Sequence, residues 1–342
     1  MQFKAIRSVS ELEALSKEWN SLLDKSASHV PFLRNDYLTS WFRNLGGGEW
    51  ESGELFTVTA YGEDGSLVGI APMFFTRNLD GKPSLMLLGS IEISDYLDVI
   101  AALEDLDPFI DGLLEFLERG DVPGWELLDW YNLLDSSPTL RALEKAANRR
   151  GCKFIQQPLQ HCPFIPLPND WENYLAGIDK KQRHEIRRKL RRADASETPV
   201  NWYIVDDESS LDDEIETLFA LMETDPEKKQ FLTQEMRAQM RAIIHTAFRN
   251  GWLQLAITTV DGKKAAAYLN FDYENRIWVY NSGFDPDYRD LSLGWVLLSY
   301  LIQWSIEHGR KEFDFMRGDE QYKYRFGGID RRVVRATLSR SL

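Results

Sequence analysis

The stretch Val279-Tyr280-Asn281-Ser282-Gly283-Phe284-Asp285-Pro286-Asp287-Tyr288-Arg289-Asp290-Leu291-Ser292-Leu293-Gly294-Trp295 decides the reading of this chain. An apolar strand ends, an Asp-Pro loop follows, and a very apolar helix over 294–307 begins at a small residue. The N-terminus of such a helix presents unpaired backbone N–H groups and a partial positive charge. It is a natural seat for a pyrophosphate. Arg289, Ser292 and Gly294 fall in the spacing R-x-x-S-x-G. The same pattern is also met by a capping serine ahead of a buried helix.

Downstream stands Glu312-Phe313-Asp314-Phe315-Met316-Arg317-Gly318-Asp319-Glu320-Gln321-Tyr322-Lys323-Tyr324-Arg325-Phe326-Gly327. A strand over 312–316 runs into a dense cluster of charges and tyrosines. A purely structural loop rarely needs so many ionisable groups together. Tyr322 is a candidate acid, and Asp319 and Glu320 can orient or deprotonate an amine. Lys323 can bind phosphates or offset developing charge. Surface ion pairing is the competing account of Asp319, Glu320 and Arg325.

Upstream lies a basic helix. Lys180, Lys181, Arg183, Arg187, Arg188, Lys189, Arg191 and Arg192 sit within 13 residues, with Ile186, Leu190 and Ala193 as a narrow apolar stripe. Arg183, Arg187 and Arg191 share one face at i, i+4, i+8. Such a face suits phosphate or another anion, or it pairs with acidic neighbours. In the first half, Ser94-Asp95-Tyr96 follows a short strand. Its Asp95 either shapes a turn or binds an amine.

The rest of the chain alternates strands and helices. Strands are read over 3–7, 55–61, 67–76, 84–88, 125–130, 200–205, 252–260, 264–272, 276–282 and 332–338. Helices are read from Ser10 through Leu23, over 36–44, from Asp107-Pro108, from Ser137-Pro138 to Arg150, from Asp170-Trp171, and over 180–192, 211–222 and 234–248. Asp64-Gly65 and Asp261-Gly262 are hairpin turns, and their similar settings suggest a weak internal duplication. Four prolines between Pro158 and Pro168 read as an extended crossover between halves. The expected fold class is therefore α/β (α+β), with mixed, mostly antiparallel sheets flanked by helices. The halves are expected at 1–165 and 166–342.

Composition narrows the classes. The chain has 342 residues, 43% hydrophobic and 27% charged, enough for two packed cores. Its formal net charge of −14 argues against nonspecific nucleic-acid binding and against DNA as a partner. Cys152 and Cys162 fit neither a redox pair nor a zinc knuckle and are expected as reduced thiols. The five histidines are isolated, so no metal site is expected. The N-terminus lacks a signal-peptide core, and no apolar run reaches the roughly 18–20 residues of a spanning helix. A cytoplasmic protein without a transmembrane segment is the expectation.

The R-x-x-S-x-G element resembles the acyl-CoA motif R/Q-x-x-G-x-G/A of the GNAT acyltransferase superfamily, with Ser292 in place of the usual glycine. The run from Phe313 to Gly327 is similar to the signature F-D-F-x-R-G-x-E-x-Y-K-x-x-F-G of the CelD-type (cellulose-biosynthesis-associated) acetyltransferases, a GNAT branch related to the FemAB aminoacyl transferases. Gly251-Trp252-Leu253-Gln254-Leu255 and Tyr280 to Pro286 add to this, as does Ser94-Asp95-Tyr96 more loosely. The resemblance covers residues 170–335 well. It implies two tandem GNAT-like halves, with the acceptor side in the first and the donor site in the second.

The implied reaction is N-acyl transfer, commonly acetyl, from acetyl-CoA or another acyl-CoA to an amine of a small molecule or envelope precursor, without a metal. Asn281, Ser282, Arg289, Ser292, Leu293 and Gly294 would bind the donor. Asp95, Tyr96, Arg183, Arg187 and Arg317 would bind substrate. Tyr322, Lys323, Asp319 and Glu320 would carry catalysis. Two other readings follow from the same resemblance: a transferase using aminoacyl-tRNA, and a catalytically silent binding protein of an envelope or exopolysaccharide pathway.

Overall fold

Ser137 caps the helix Pro138–Arg150 by accepting the Thr139 N–H at 3.2 Å, and Gly151 ends it with φ 65°. Both sequence signals act as physics requires: a first-turn proline has φ preset, and glycine takes the left-handed turn without a Cβ clash. The structure is a computed structural model describing residues 1–119 and 124–339. These residues form two units, one of Met1–Gln160 with the strand Arg332–Ser339, the other of His161–Arg331.

The first unit holds two sheets. One has four antiparallel strands, in the order Gln2–Ile6, Thr57–Tyr61, Leu67–Ala71, Ile100–Ala101. The other has six, in the order Glu54–Leu55, Met73–Arg77, Pro83–Leu87, Leu127–Leu134, Arg332–Ser339, Lys153–His161. The expected single strand over 67–76 is therefore two strands in different sheets. Pro72 divides them, because it has no N–H to give to a ladder.

The helix expected to start at Asp107-Pro108 begins at Leu103 and carries Pro108 inside it. The helix expected from Ser10 is two, Val9–Ala14 capped by Ser8, and Ser16–Leu23. The crossover expected at Pro158 to Pro168 contains two strands, Lys153–His161 and Phe164–Pro166. Each is the outermost strand of its sheet. An edge strand tolerates proline because its outer N–H needs no partner. Both cysteines are free thiols.

The strand Arg332–Ser339, read as the close of the second half, belongs to the first unit. It pairs antiparallel with Leu127–Leu134. Asp129 fixes the register from a fully buried position. Arg335 grips it with two bonds, Nε to Oδ1 at 2.6 Å and Nη2 to Oδ2 at 2.7 Å, and Asn78 Nδ2 adds a third at 2.7 Å. The Arg335 guanidinium also stacks 4.7 Å from the Tyr131 ring centre. Burial, then the Asp129 charge, push the Tyr131 phenol up to about 12.

In the second unit we label β1 (Phe164–Pro166), α1 (Trp171–Gly177), α2 (Lys180–Asp194), β2 (Val200–Ile204), α3 (Leu211–Met222), α4 (Pro226–Phe231), α5 (Gln234–Arg249), β3 (Leu253–Val260), β4 (Lys263–Tyr273), β5 (Arg276–Phe284), α6 (Leu293–Glu307), β6 (Glu312–Asp314) and α7 (Gln321–Arg325). Its sheet runs β1-β6-β5-β4-β3-β2. All neighbours are antiparallel except β5 and β6. Helix α6 is apolar nearly all round, as a helix enclosed by its unit must be; Val296, Leu297, Leu301 and Ile302 are fully buried.

Removing one partner of a buried ion pair strands the other charge. We therefore predict that Asp129→Ala lowers the unfolding free energy by about 3–5 kcal/mol. Asp129→Leu combined with Arg335→Met should recover most of that loss. Urea denaturation reads both, and a loss below roughly 1 kcal/mol for the single variant contradicts the assignment.

Candidate functional site

Strands β5 and β6 pair in parallel over three residues only, Arg276 with Glu312, Ile277 with Phe313, and Trp278 with Asp314. Then they part. The register of β5 against β4 slips at the same place, from Asn270 opposite Val279 to Leu269 opposite Asn281, so Tyr280 is an inserted residue. Such a bulge bends its strand and increases its twist. Beyond it, the outer edge of β5 has no strand beside it among the described residues, and side chains satisfy the exposed groups. Lys228 Nζ donates to Ser282 O at 2.6 Å, and Thr224 Oγ1 donates to Phe284 O at 2.8 Å. The Ser282 N–H donates to Asn281 Oδ1 at 2.8 Å.

A cleft of about 730 Å³ opens along this edge. One end is the start of α6. A 3-10 turn over Pro286–Leu291, capped by Asp285, delivers the chain to Ser292, which has φ 54° and ψ 44°. That is the left-handed region, which favours glycine and costs other residues energy. It accounts for glycine as the usual residue here in the resembling motif. Ser292 holds the conformation while its Oγ accepts from Lys189 Nζ at 2.9 Å. The same ammonium lies 4.8 Å over the Trp295 ring. Gly294 has a steric reason: a Cβ there would lie 3.0 Å from the Phe284 ring. Gly283 has a stronger one, since its Cβ would sit 2.5 Å from backbone atoms of Leu221 and Met222 at the end of α3. Arg289 is exposed at the cleft rim, and its guanidinium has no partner among the described residues. One end of the cleft thus combines two cations with a helix N-terminus.

The other end is built by the loop after β6. Met316 has φ 57° and Gly318 φ 122°, so the loop folds back on itself. At its centre is the buried Lys323 ammonium, which donates to Arg317 O at 2.8 Å and Gly318 O at 3.2 Å and pairs with Glu320 at 2.9 Å. A Cβ at Gly318 would strike the Glu320 carboxylate and come 2.7 Å from Lys323 Nζ. The loop is therefore wrapped around one ammonium, and Glu320 and Tyr322 are presented to the cleft from it. Tyr268 on β4 faces them. It is only 4% exposed, yet its hydroxyl has no hydrogen-bond partner among the described residues, and neither has that of Tyr322. Burial, then the Glu320 charge, hold the Tyr322 phenol well above its ordinary value, and burial, then Tyr322, do the same for Tyr268. Both are neutral donors near neutral pH.

The structure sorts the residues singled out in the sequence. Ser282, Arg289, Ser292, Leu293, Gly294, Glu320 and Tyr322 line the cleft. Asn281 serves it indirectly through the Ser282 amide. Lys323 is held within its own loop and does not reach the cleft. Asp319 accepts from the Tyr324 hydroxyl at 2.7 Å, and Arg317 contributes its carbonyl to the Lys323 cage. On α2, Arg183 donates to Leu175 O at 3.2 Å and Arg187 pairs with Glu172 at 2.5 Å, so both serve α1. Asp95 and Tyr96 are buried in the first unit, Tyr96 with φ 56°. Ser94 Oγ lies 3.0 Å from the Tyr37 hydroxyl, and Ser94 O accepts from Asn132 Nδ2 at 2.9 Å.

Sequence reasoning missed Lys189, Thr224, Lys228, Tyr268 and Phe284. Lys189 lay within the basic helix, where the i, i+4 pattern of Arg183, Arg187 and Arg191 drew attention to another face. Lys228 sits on α4, which was not expected at all, although Asp225-Pro226 is a cap followed by a first-turn proline.

Residues 180–324 match the family model described as an acetyltransferase (GNAT) domain. No curated protein matches the sequence. Among solved structures, FemX is similar at 10% identity, covering 98% of this chain and 97% of that one, with a TM-score of 0.66. A conserved protein of unknown function from Bacteroides thetaiotaomicron follows at 14%, covering 99% of each chain, with a TM-score of 0.58. L-PGS from Bacillus licheniformis aligns at 11%, over 95% of this chain and 91% of that one, with a TM-score of 0.55. At these identities the likeness is one of fold: mixed sheets flanked by helices, with a GNAT domain match confined to the second unit.

Two predictions follow from this geometry. Ser292→Gly should leave stability unchanged or raise it, whereas Ser292→Val should lower it by about 1–2 kcal/mol, because glycine removes the Cβ that the left-handed region disfavours and valine branches it. Thermal unfolding of the pair tests this, and equal stability would remove the conformational argument. The two cleft phenols, with folded values raised, stabilise the fold below the unfolded tyrosine value of about 10 and lose that contribution as pH climbs towards the folded value. The Tyr268→Phe/Tyr322→Phe variant should therefore ionise as many tyrosines below about pH 11 as the unaltered protein, read by ultraviolet absorbance. Two fewer would show that the phenols are not shielded.

Proposed function

We propose that this chain is an N-acyltransferase that moves an acyl group, most simply acetyl, from acyl-CoA to a primary amine. The observation carrying this reading is the parted strand pair, with a helix N-terminus at one end of the cleft and two unpartnered phenols at the other. The cation-rich end fits a pyrophosphate: Arg289 and Lys189 supply charge, and the first-turn N–H groups of α6 supply donors. The chain between phosphate and thioester would lie along β5, over Phe284 and Leu298. The thioester would then reach Ser282, Tyr268 and Tyr322.

Holding both reactants there supplies effective concentration. The amine nitrogen attacks the carbonyl carbon, a C–N bond forms and the carbonyl electrons move to oxygen. Collapse restores the carbonyl and breaks the C–S bond. Glu320, facing the cleft, takes the amine proton, and a neutral phenol of Tyr322 or Tyr268 protonates the departing thiolate. The GNAT domain match over residues 180–324 supports the donor, as does the likeness of Phe313 to Gly327 to the CelD-type signature. An amine of a small molecule or an envelope precursor is the acceptor class that goes with it. Asp95, Arg183 and Arg187 are not given substrate roles in this proposal.

The fold shared with FemX, and the exposed Lys180, Lys181, Arg191 and Arg192 on α2, favour a second reading with an aminoacyl-tRNA donor. Calorimetric titration separates the two. Acetyl-CoA and a long-chain acyl-CoA are titrated into the protein and into Arg289→Ala/Gly294→Glu. We expect micromolar binding, lost in the double variant while circular dichroism stays unchanged. Absence of binding by either donor would end the acyl-CoA reading and turn attention to aminoacyl-tRNA, whose affinity should fall steeply with salt.

A further inference from the structure

We propose that Lys228 is a catalytic residue of this transfer, its ammonium taking up the negative charge that forms on the thioester carbonyl oxygen. The inference rests on the acyl-CoA reading of the same cleft. A tetrahedral oxyanion needs donors fixed before the reaction at the point where charge develops. A backbone N–H on a parted strand is the simplest such donor. On β5 the amide at that place belongs to Ser282, and it is already spent on Asn281 Oδ1 at 2.8 Å.

The Lys228 ammonium is held beside it. Its Nζ is 2.6 Å from Ser282 O and 3.4 Å from Ser282 Oγ. Those are its only hydrogen-bond partners among the described residues, so a donor remains for the cleft that the side chain lines. Its position is set by the backbone. Asp225 Oδ1 accepts the N–H groups of Glu227 and Lys228 at 2.9 and 3.2 Å, and Pro226 fixes the first turn of α4. Thr224 pins the same segment to Phe284 O at 2.8 Å. The reacting groups line the same cleft, where the Glu320 charge acts on Lys228 and Tyr322 acts on Tyr268. Burial lowers the Lys228 ammonium below its ordinary value, while Asp225 and Glu320 oppose the shift and favour the charge. A desolvated cation of this kind interacts with an oxyanion more strongly than an exposed one does.

The step balances. The amine lone pair forms the C–N bond, and the carbonyl π electrons pass to oxygen, which accepts a hydrogen bond from the Lys228 ammonium. Glu320 takes the proton that the nitrogen must lose; when the electrons return, the C–S bond breaks and the sulfur takes a proton from the phenol of Tyr322 or Tyr268, yielding amide and free thiol. Lys228 keeps its own proton throughout.

The test reads charge recognition without needing the acceptor. Coenzyme A, acetyl-CoA and S-carboxymethyl-CoA are titrated calorimetrically into the protein and into Lys228→Met and Lys228→Arg. S-carboxymethyl-CoA carries a full negative charge next to the site of the oxyanion, its carboxylate oxygens one bond further from sulfur than the thioester oxygen. We expect Lys228→Met to weaken it by roughly tenfold or more while leaving coenzyme A and acetyl-CoA within about twofold. Lys228→Arg, which keeps the charge, should retain part of the preference and covers any folding defect of the methionine variant. An equal loss for all three ligands would make Lys228 a donor-binding residue, and no loss would leave it without a role; either result overturns the proposal with the acyl-CoA site intact. Failure of the unaltered protein to bind any of the three would instead remove the acyl-CoA reading on which the proposal stands.

Discussion

Three residue pairs hold β5 and β6 together, and past Trp278 and Asp314 the sheet opens. An opened edge exposes N–H and C=O groups inside a folded unit, where leaving them unpaired costs free energy. The sequence around the site reads as an answer to that constraint. Tyr280 is the inserted residue that bends the strand away. Asn281, Thr224 and Lys228 then satisfy the groups at Ser282 and Phe284 without closing the gap. A strand laid there would have sealed the cleft. Side chains fill the hydrogen bonds and leave space for a ligand whose own amide and carbonyl groups can compete for the same edge.

A second constraint works at the far side of the cleft. The loop after β6 closes on the Lys323 ammonium, with backbone carbonyls and the Glu320 carboxylate as its cage. A buried ammonium is tolerated only when paired and hydrogen-bonded. This one is, and it fixes the direction of Glu320 and Tyr322. The dense run of charges from Arg317 to Arg325 therefore divides its labour. Lys323, Gly318 and Arg317 build the loop, Asp319 and Tyr324 hold each other, and Glu320 and Tyr322 face the cleft.

Much of the second unit was legible in the sequence because its elements are long and periodic. The strands around Asp261-Gly262, the apolar α6 and the basic α2 lie where patterning placed them, within a residue or two. So does the helix from Ser137-Pro138. Short elements and tertiary choices were not legible. Nothing in the stretch from Leu67 to Thr76 says that its two parts join different sheets. Nothing in Lys153 to Pro166 says that proline will be accepted on two sheet edges. For the site, one-dimensional spacing found Arg289, Ser292, Gly294, Glu320 and Tyr322, which lie on two contiguous segments. Lys189, Lys228 and Tyr268 reach the cleft from three other elements, and their convergence follows only from packing. The arginines of α2 show the reverse: a shared helical face was visible, but the partners of Arg183 and Arg187, the end of α1 and Glu172, were not.

The strand Arg332–Ser339 carries a consequence for how the chain is made. Its neighbour Leu127–Leu134 lies some two hundred residues earlier, and Arg335 and Asp129 are 206 apart. As the polypeptide leaves the ribosome, the first unit must wait with one hydrogen-bonding edge of a central strand bare and the Asp129 carboxylate without its arginine. Every residue of the second unit is synthesised during that wait. The second unit, closed within its own segment, is free to fold first. The earlier-synthesised unit would then be the later to mature, reversing the usual N-to-C order of domain folding.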